Sequence, residues 1–193
     1  MTTIIGIAGN MRTGKSALAQ RLSIEYDIPI VSYAEALRQE VAQAFFPKQG
    51  RQEARHLWNL LEEEDKTLTR PMLQAWGEGR RQLDKKSYWI DRLNKYIARK
   101  GYDIVIVDDV RHQNEAQNIL DQGGYIIRLS ASSRVLRQRG ATEESLLHAS
   151  ENLGGVDNVI SANKWRCIKV DTSGRSVFGL FRAVQQVVEE WIS

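Results

Sequence analysis

The chain has 193 residues, a net charge of +3 and a hydrophobic fraction of 42%, which predicts one domain with a sizeable core and room for a small insertion. The charge excess is too small for a protein that coats nucleic acid, no apolar run is long enough to span a membrane, and the single cysteine excludes an internal disulfide framework. Because the N-terminus also lacks a secretion-signal pattern, we expect a cytoplasmic protein with small-molecule partners, no nucleic acid and no membrane.

A phosphate-binding loop follows the first predicted strand. Residues 4–8 form an apolar run that predicts this strand, residues 9–16 (GNMRTGKS) fit the spacing G-x-x-x-x-G-K-[ST], and residues 17–22 begin a helix. In such loops the backbone N–H groups and the helix N-terminus converge on an anion, Lys15 reaches the β- and γ-phosphates, and the Ser16 hydroxyl completes a Mg²⁺ shell. We therefore predict that a nucleoside triphosphate contacts Gly9, Asn10, Arg12, Thr13, Gly14, Lys15, Ser16 and Ala17.

A long helical segment lies between the second predicted strand, 28–32, and the strand at 104–107. Apolar spacing predicts helices over 34–45, 54–61, 70–81 and 90–97, with Pro47 and Gly50 as breakers, Pro71 at a first helical position, Ser87 as a cap and 62–65 as a solvated helix end. A crossover needs far fewer than the roughly seventy residues present, so we predict a helical insert over about 33–100.

The insert carries the candidates for binding a phosphate acceptor. Arginines with aromatic side chains can bind a phosphate and stack a base, although each tryptophan taken alone also fits a core position. Gln74 follows Arg70 at helical spacing and could contact a base edge, although an ordinary surface glutamine is the alternative. The predicted substrate-binding residues are Ser32, Arg38, Arg70, Gln74, Trp76, Arg81 and Trp89.

Two aspartates follow the apolar strand 104–107. In phosphate-loop enzymes an acidic residue near this place holds Mg²⁺, so we predict Asp108 as a metal ligand and Asp109 as catalytic, with capping of the next segment as the alternative. Arg111 offers a planar fork for phosphate oxygens, and an ion pair with an aspartate or with Glu115 is the alternative.

An arginine-rich segment follows the next predicted helix, 114–121, and strand, 125–129. We predict a lid over about 131–150, with Arg134 and Arg137 as catalytic residues and Arg139 at the nucleotide, and a solvated basic helix as the alternative. His148 is the one histidine with a candidate functional position. Residues 167–170 predict the last strand, with 158–161 as a competing choice, and a closing amphipathic helix runs over 177–191.

Strands that alternate with helices predict an α/β fold, namely a three-layer P-loop NTPase fold with a parallel sheet of about five strands. Ligands bind beyond the carboxyl ends of the strands in such sheets. The phosphate loop, Ser32, the aspartates and the arginine-rich segment all follow strand ends, so we expect them at one edge.

Together these stretches resemble the deoxynucleoside monophosphate kinases of tailed bacteriophages. The resemblance rests on residues 9–16, 32–38 (SYAEALR), 70–77 (RPMLQAWG) with 88–89 (YW), 109–115 (DVRHQNE) and 148–151 (HASE), in family order. It implies ATP, Mg²⁺ and phosphorylation of a deoxynucleoside monophosphate to its diphosphate, in the host cytoplasm if a phage encodes the chain.

Carried over by motif, Lys15 and Ser16 act on ATP and Mg²⁺, and Asp109 with Arg111 lies between the two substrates. Arg38, Arg70 and Gln74 resemble monophosphate-side residues. The lid arginines do not align with the family pattern, so their predicted roles rest on position alone. The sequence does not determine which bases are accepted or whether the chain forms a homodimer. Two other functions stay open: a kinase of another metabolite such as dephospho-coenzyme A, and a nucleotide-binding ATPase or switch.

Overall fold

A computed structural model of the chain describes residues 2–143 and 153–193. His148, Glu151 and the predicted lid beyond residue 143 therefore lie outside the described residues. The chain divides into two compact units, one formed by Met1–Val31 with Ile97–Ser193 and the other by Ser32–Tyr96.

The first unit is built on a parallel sheet, which confirms the predicted fold class. Its strands are β1 (Thr3–Gly9), β2 (Ile30–Val31), β3 (Ile104–Val110), β4 (Tyr125–Ser130) and β5 (Cys167–Asp171). Their order is β2-β3-β1-β4-β5, and every pair is parallel. The central strand β1 is buried almost throughout because helices cover both faces of the sheet.

Five helices belong wholly to this unit in the described part of the chain. They are α1 (Lys15–Tyr26), α6 (Gln113–Asp121), α7 (Ser133–Gln138), α8 (Gly154–Ala162) and α9 (Val177–Ile192). Leu18 and Leu22 of α1 pack with Val184 and Val188 of α9 against the sheet residues Ile5, Ile7, Ile127 and Leu129. Helices α6 and α8 contact each other, and α6 also packs on β1 and β4.

The second unit is helical. It contains α2 (Tyr33–Phe45), α3 (Arg51–Glu64), α4 (Lys66–Leu83) and the first turns of α5 (Tyr88–Lys100). Its core is small and forms around Trp58, which is fully buried with Val41, Ala42 and Ala54. The heptad-like spacing of 54, 58 and 61 on α3 puts these residues on one face, as the sequence predicts.

One sequence prediction about secondary structure was wrong, and the structure decides one choice that the sequence left open. Pro71 is inside α4 rather than at its start, because the Asp65 carboxylate accepts the N–H groups of Thr67 and Leu68 and so starts the helix at Lys66. The last strand predicted at 167–170 is confirmed as β5, and the competing choice, 158–161, lies in α8, where Val156, Val159 and Ile160 are buried at helical spacing. In addition, β3 continues through Asp108 and Asp109 instead of ending before them.

Candidate nucleotide-binding site

The phosphate loop connects the carboxyl end of β1 to the first residue of α1. Lys15 is almost buried, and its Nζ donates to the carbonyl oxygens of Gly9 at 2.7 Å and Asn10 at 2.9 Å. The fully buried Thr13 donates its hydroxyl proton to the Asn10 carbonyl at 2.8 Å. These contacts fix the inside of the loop and keep an ammonium group at the N-terminus of α1, where an anion is stabilised.

Two glycines of the loop are needed for its shape. Gly14 has φ +93°, a backbone conformation that L side chains rarely adopt. A Cβ atom on Gly9 would lie 2.6 Å from the Thr13 hydroxyl and 2.8 Å from the Leu129 carbonyl oxygen, which is closer than packing allows. Arg12 adopts φ +66° although it has a side chain, so its surroundings must hold it there.

Asp108 lies beside this loop. Its carboxylate is hydrogen-bonded to Ser16 and interacts with Lys15, and both contacts lower its pKa. Burial and the neighbouring charge of Asp109 outweigh them and raise the pKa of Asp108 from 3.8 to about 6. A hydroxyl and a carboxylate oxygen held together next to a phosphate loop are hard oxygen donors, so these residues fit a Mg²⁺ ion.

Arg111 and His112 begin the turn after β3. The Glu115 side chain, only 3% exposed, accepts both of their backbone N–H groups through Oε2, at 2.8 Å and 2.9 Å. The turn that carries Arg111 is therefore anchored to α6. Asp109, the other residue predicted to act between the substrates, is partly buried near the end of β3.

The three arginines of the predicted lid have different surroundings. Arg134 is exposed on α7, and Arg137 pairs with Glu143. Arg139, by contrast, donates to the carbonyl of Arg12 at 3.2 Å and to Thr172 after β5. Arg139 is therefore in contact with the phosphate loop.

In the second unit, the predicted acceptor residues are spread over several helices. Ser32 accepts the Glu35 N–H and caps α2, and Arg38 of α2 forms an ion pair with Glu62 of α3 at 3.0 Å. Arg70 is exposed and Gln74 is half-buried one turn later on α4. Arg81 lies 3.7 Å from the Glu78 carboxylate on the same helix.

The two predicted tryptophans are both engaged within this unit. Trp89 is 2% exposed and donates its indole proton to the Gly77 carbonyl at 3.0 Å. Trp76 donates to Glu40, which also accepts from Arg80 and Tyr88. Burial alone would raise the pKa of Glu40, but these hydrogen bonds lower it below 4.5. Packing and hydrogen bonding account for both indoles, so the predicted stacking on a base is not needed to explain their positions.

Comparison with solved structures identifies the fold. Thymidylate kinase from Candida albicans superposes with a TM-score of 0.57 at 12% identity, and the match covers 100% of this chain and 94% of that one. A gluconokinase from Sinorhizobium meliloti 1021 gives 0.52 at 13% identity, with 98% and 94% covered. A sugar kinase from Janibacter sp. HTCC2649 gives 0.51 at 15% identity, with 97% and 95% covered.

The chain has the fold of a P-loop kinase. No family model matches the sequence, and no curated protein sequence does so either. Because the three structures are at most 15% identical to this chain, their similarity shows its fold and not its substrate. The substrate has to be inferred from the residues of the site.

Some contacts of this P-loop kinase fold could not be predicted from the sequence. Thr172 and Glu40 carry no signal in the sequence, because a threonine after a strand and a glutamate within a helix are common in proteins of every function. Within residues 2–143 and 153–193, no group of three or more His, Cys, Asp or Glu residues is arranged to hold a metal ion. No helix in the described ranges is long and apolar enough to cross a membrane.

Proposed function

We propose that this chain is an ATP-dependent kinase that phosphorylates a deoxynucleoside monophosphate to the diphosphate. The observation that carries the proposal is the set Lys15, Ser16 and Asp108, which joins an ammonium group and two oxygen donors at the phosphate loop of a kinase fold. The choice of a deoxynucleoside monophosphate is supported by the arginine-bearing helical insert and by the resemblance to phage kinases.

The reaction is an in-line transfer of the γ-phosphoryl group of ATP to an oxygen of the acceptor monophosphate. The bond between the γ-phosphorus and the β–γ bridging oxygen breaks and leaves ADP. Since the acceptor oxygen is already anionic near neutral pH, the chain does not need a strong general base. Mg²⁺, when bound, neutralises charge on the β- and γ-phosphate oxygens.

We assign roles to this chain's residues accordingly. Lys15 binds the β- and γ-phosphates, and the Ser16 and Asp108 oxygens hold the metal. Arg111, on a turn fixed by Glu115, binds the transferred group, and Arg134 and Arg137 supply positive charge to it, with Asp109 beside the acceptor. Arg38, Arg70 and Gln74 bind the acceptor monophosphate.

For Arg137 this role requires release from Glu143, and for Arg38 release from Glu62. Both pairs are at least partly exposed to solvent, so their net contribution to stability is small and a phosphate can replace the carboxylate. The bidentate fork of arginine suits a phosphate as well as it suits a carboxylate.

An acceptor panel tests the proposal. ADP release is measured with wild-type protein and Lys15→Ala, using dAMP, dGMP, dCMP, dTMP, hydroxymethylated dCMP, gluconate and dephospho-coenzyme A. We expect turnover with at least one deoxynucleotide and a loss of about 10²-fold or more in Lys15→Ala. Turnover that needs no acceptor would support an ATPase or switch instead, and undiminished turnover in Lys15→Ala would remove Lys15 from the mechanism.

A kinase of another metabolite is the second candidate. The gluconokinase and sugar kinase structures are nearly as similar to this chain as thymidylate kinase is, with TM-scores of 0.52 and 0.51 against 0.57. Exclusive turnover of gluconate or dephospho-coenzyme A in the same panel would favour it over the deoxynucleotide.

A further inference from the structure

The Arg139 guanidinium joins two loops that are distant in sequence. Its Nη1 donates to the carbonyl oxygen of Arg12 at 3.2 Å and to the Thr172 hydroxyl at 3.0 Å, and its Nη2 donates to the Thr172 carbonyl at 2.7 Å. Thr172 is 1% exposed and directly follows β5. One side chain therefore connects the phosphate loop after β1 with the loop after β5.

Arg139 attaches to the phosphate loop at a residue with a left-handed backbone conformation. Arg12 has φ +66°, a backbone conformation that residues other than glycine rarely adopt. The next residue, Gly140, lies near the Arg12 side chain, since a Cβ atom built on this glycine would come within 3.8 Å of the guanidinium. Thus Arg139 contacts the backbone of Arg12, and Gly140 is close to its side chain.

Two other carbonyl groups of the loop are held by different donors. Those of Gly9 and Asn10 accept from Lys15, and that of Asn10 also accepts from Thr13. These donors belong to the loop itself, whereas the donor to the Arg12 carbonyl lies 127 residues further along the chain. The loop is consequently fixed by its own residues on one side and by Arg139 on the other.

We infer that Arg139 is a positioning residue that keeps the phosphate loop in its binding shape through the Arg12 carbonyl, with Thr172 holding the guanidinium in place. This inference rests on the proposed binding of ATP at residues 9–16. It replaces the direct contact with ATP that the sequence suggests for Arg139. Lysine cannot substitute, because a single ammonium lacks the planar fork that reaches acceptors on two loops at once.

The role predicts which part of the nucleotide is affected by substitution. If Arg139 acts through the loop, its loss weakens binding of the triphosphate whether or not a base is attached, because a loop that must be ordered on binding binds less tightly. If Arg139 instead touches the base or sugar, binding of inorganic tripolyphosphate stays unchanged. Tripolyphosphate therefore separates the two roles.

The test is isothermal titration of Mg²⁺-ATP and of Mg²⁺-tripolyphosphate into wild-type protein, Arg139→Lys, Thr172→Val and the double variant. Arg182→Ala is the matched control, because Arg182 is an exposed arginine on α9 that donates to Gln185. We expect Arg139→Lys to weaken both ligands by a similar factor, about ten-fold, and Arg182→Ala to change neither. Thr172→Val should weaken both about three-fold alone and add little to Arg139→Lys, since coupled residues are non-additive.

Three results would overturn the inference. They are a loss of ATP binding with unchanged tripolyphosphate binding, unchanged binding of both ligands, and a full additional loss in the double variant. If Arg139→Lys does not fold, Thr172→Val alone decides: equal weakening of both ligands supports the role, and unchanged binding refutes it. A wild-type protein that binds neither ligand would instead refute the proposed function.

Discussion

Asp108 should make the ligand-free protein less stable at neutral pH, and Asp108→Asn should therefore stabilise it. Burial and the charge of Asp109 raise the pKa of Asp108 from 3.8 to about 6. In the unfolded chain the carboxyl ionises at its ordinary pKa, so between these two values the native state binds more protons than the unfolded state. Stability then falls as the pH rises through this window and stays low above it.

The magnitude follows from the shift. A change of about two pKa units at about 1.4 kcal/mol per unit gives a penalty of about 3 kcal/mol at pH 8. The penalty is about half as large at pH 5 and falls below about 1 kcal/mol at pH 4, where the native carboxyl is protonated and the unfolded one is close to half protonated. Asparagine carries no charge to bury, so Asp108→Asn should recover most of this penalty, less the contribution of the hydrogen bond with Ser16.

The assay is urea unfolding at pH 8, 5 and 4 with EDTA and without nucleotide, comparing wild type, Asp108→Asn and the exposed control Asp103→Asn. We expect Asp108→Asn to unfold at higher urea concentration at pH 8 with an unchanged m-value, and the advantage to shrink towards pH 4. The control should follow the wild type at every pH. A gain that is independent of pH, or a less stable Asp108→Asn at pH 8, would refute the reasoning.

Three other substitutions test separate parts of the structure. Arg38→Ala should raise KM for the deoxynucleotide about ten-fold in steady-state assays while KM for ATP stays within about two-fold; equal changes in both would place Arg38 outside the acceptor site. Gly9→Ala should abolish ATP binding in titration, because its Cβ would lie 2.8 Å from the Leu129 carbonyl oxygen. Glu40→Gln should lower the free energy of unfolding by about 2 kcal/mol, since an amide group then faces the donors of Arg80 and Tyr88; an unchanged urea midpoint would show that the cluster contributes nothing.

The sequence predicts well those features whose cause is local. Residues 104–107 are continuously apolar because β3 is buried on both faces, and this run predicts the strand. In 177–191 the apolar residues recur at alternating steps of four and three because α9 is buried on one face, and this spacing predicts the helix. The same is true of the phosphate loop, where spacing fixes backbone geometry. The start of α4 was predicted wrongly at Pro71, because proline is common at the first position of a helix. Asp65, six residues earlier, caps the helix with its side chain, so α4 begins at Lys66.

Contacts between residues far apart in the chain could not be predicted. Trp76 and Trp89 carry the same chemistry as base-stacking residues, and only the packing of α2, α4 and α5 shows that one donates to Glu40 and the other to Gly77. Arg139 is another such case, since its acceptors at residues 12 and 172 come together only when β1 and β5 enter one sheet.

The charged residues around the phosphate loop are arranged in a way that suits ligand binding and lowers the stability of the ligand-free protein. Asp108 is held partly buried next to Asp109, which opposes its ionisation, although an asparagine at this position would relieve that cost. Lys15 is almost buried as well, and its ammonium is directed at the carbonyl groups of its own loop. A ligand that brings both negative charge for Lys15 and a cation for Asp108 stabilises the two groups at once, and Mg²⁺-ATP has this combination of charges.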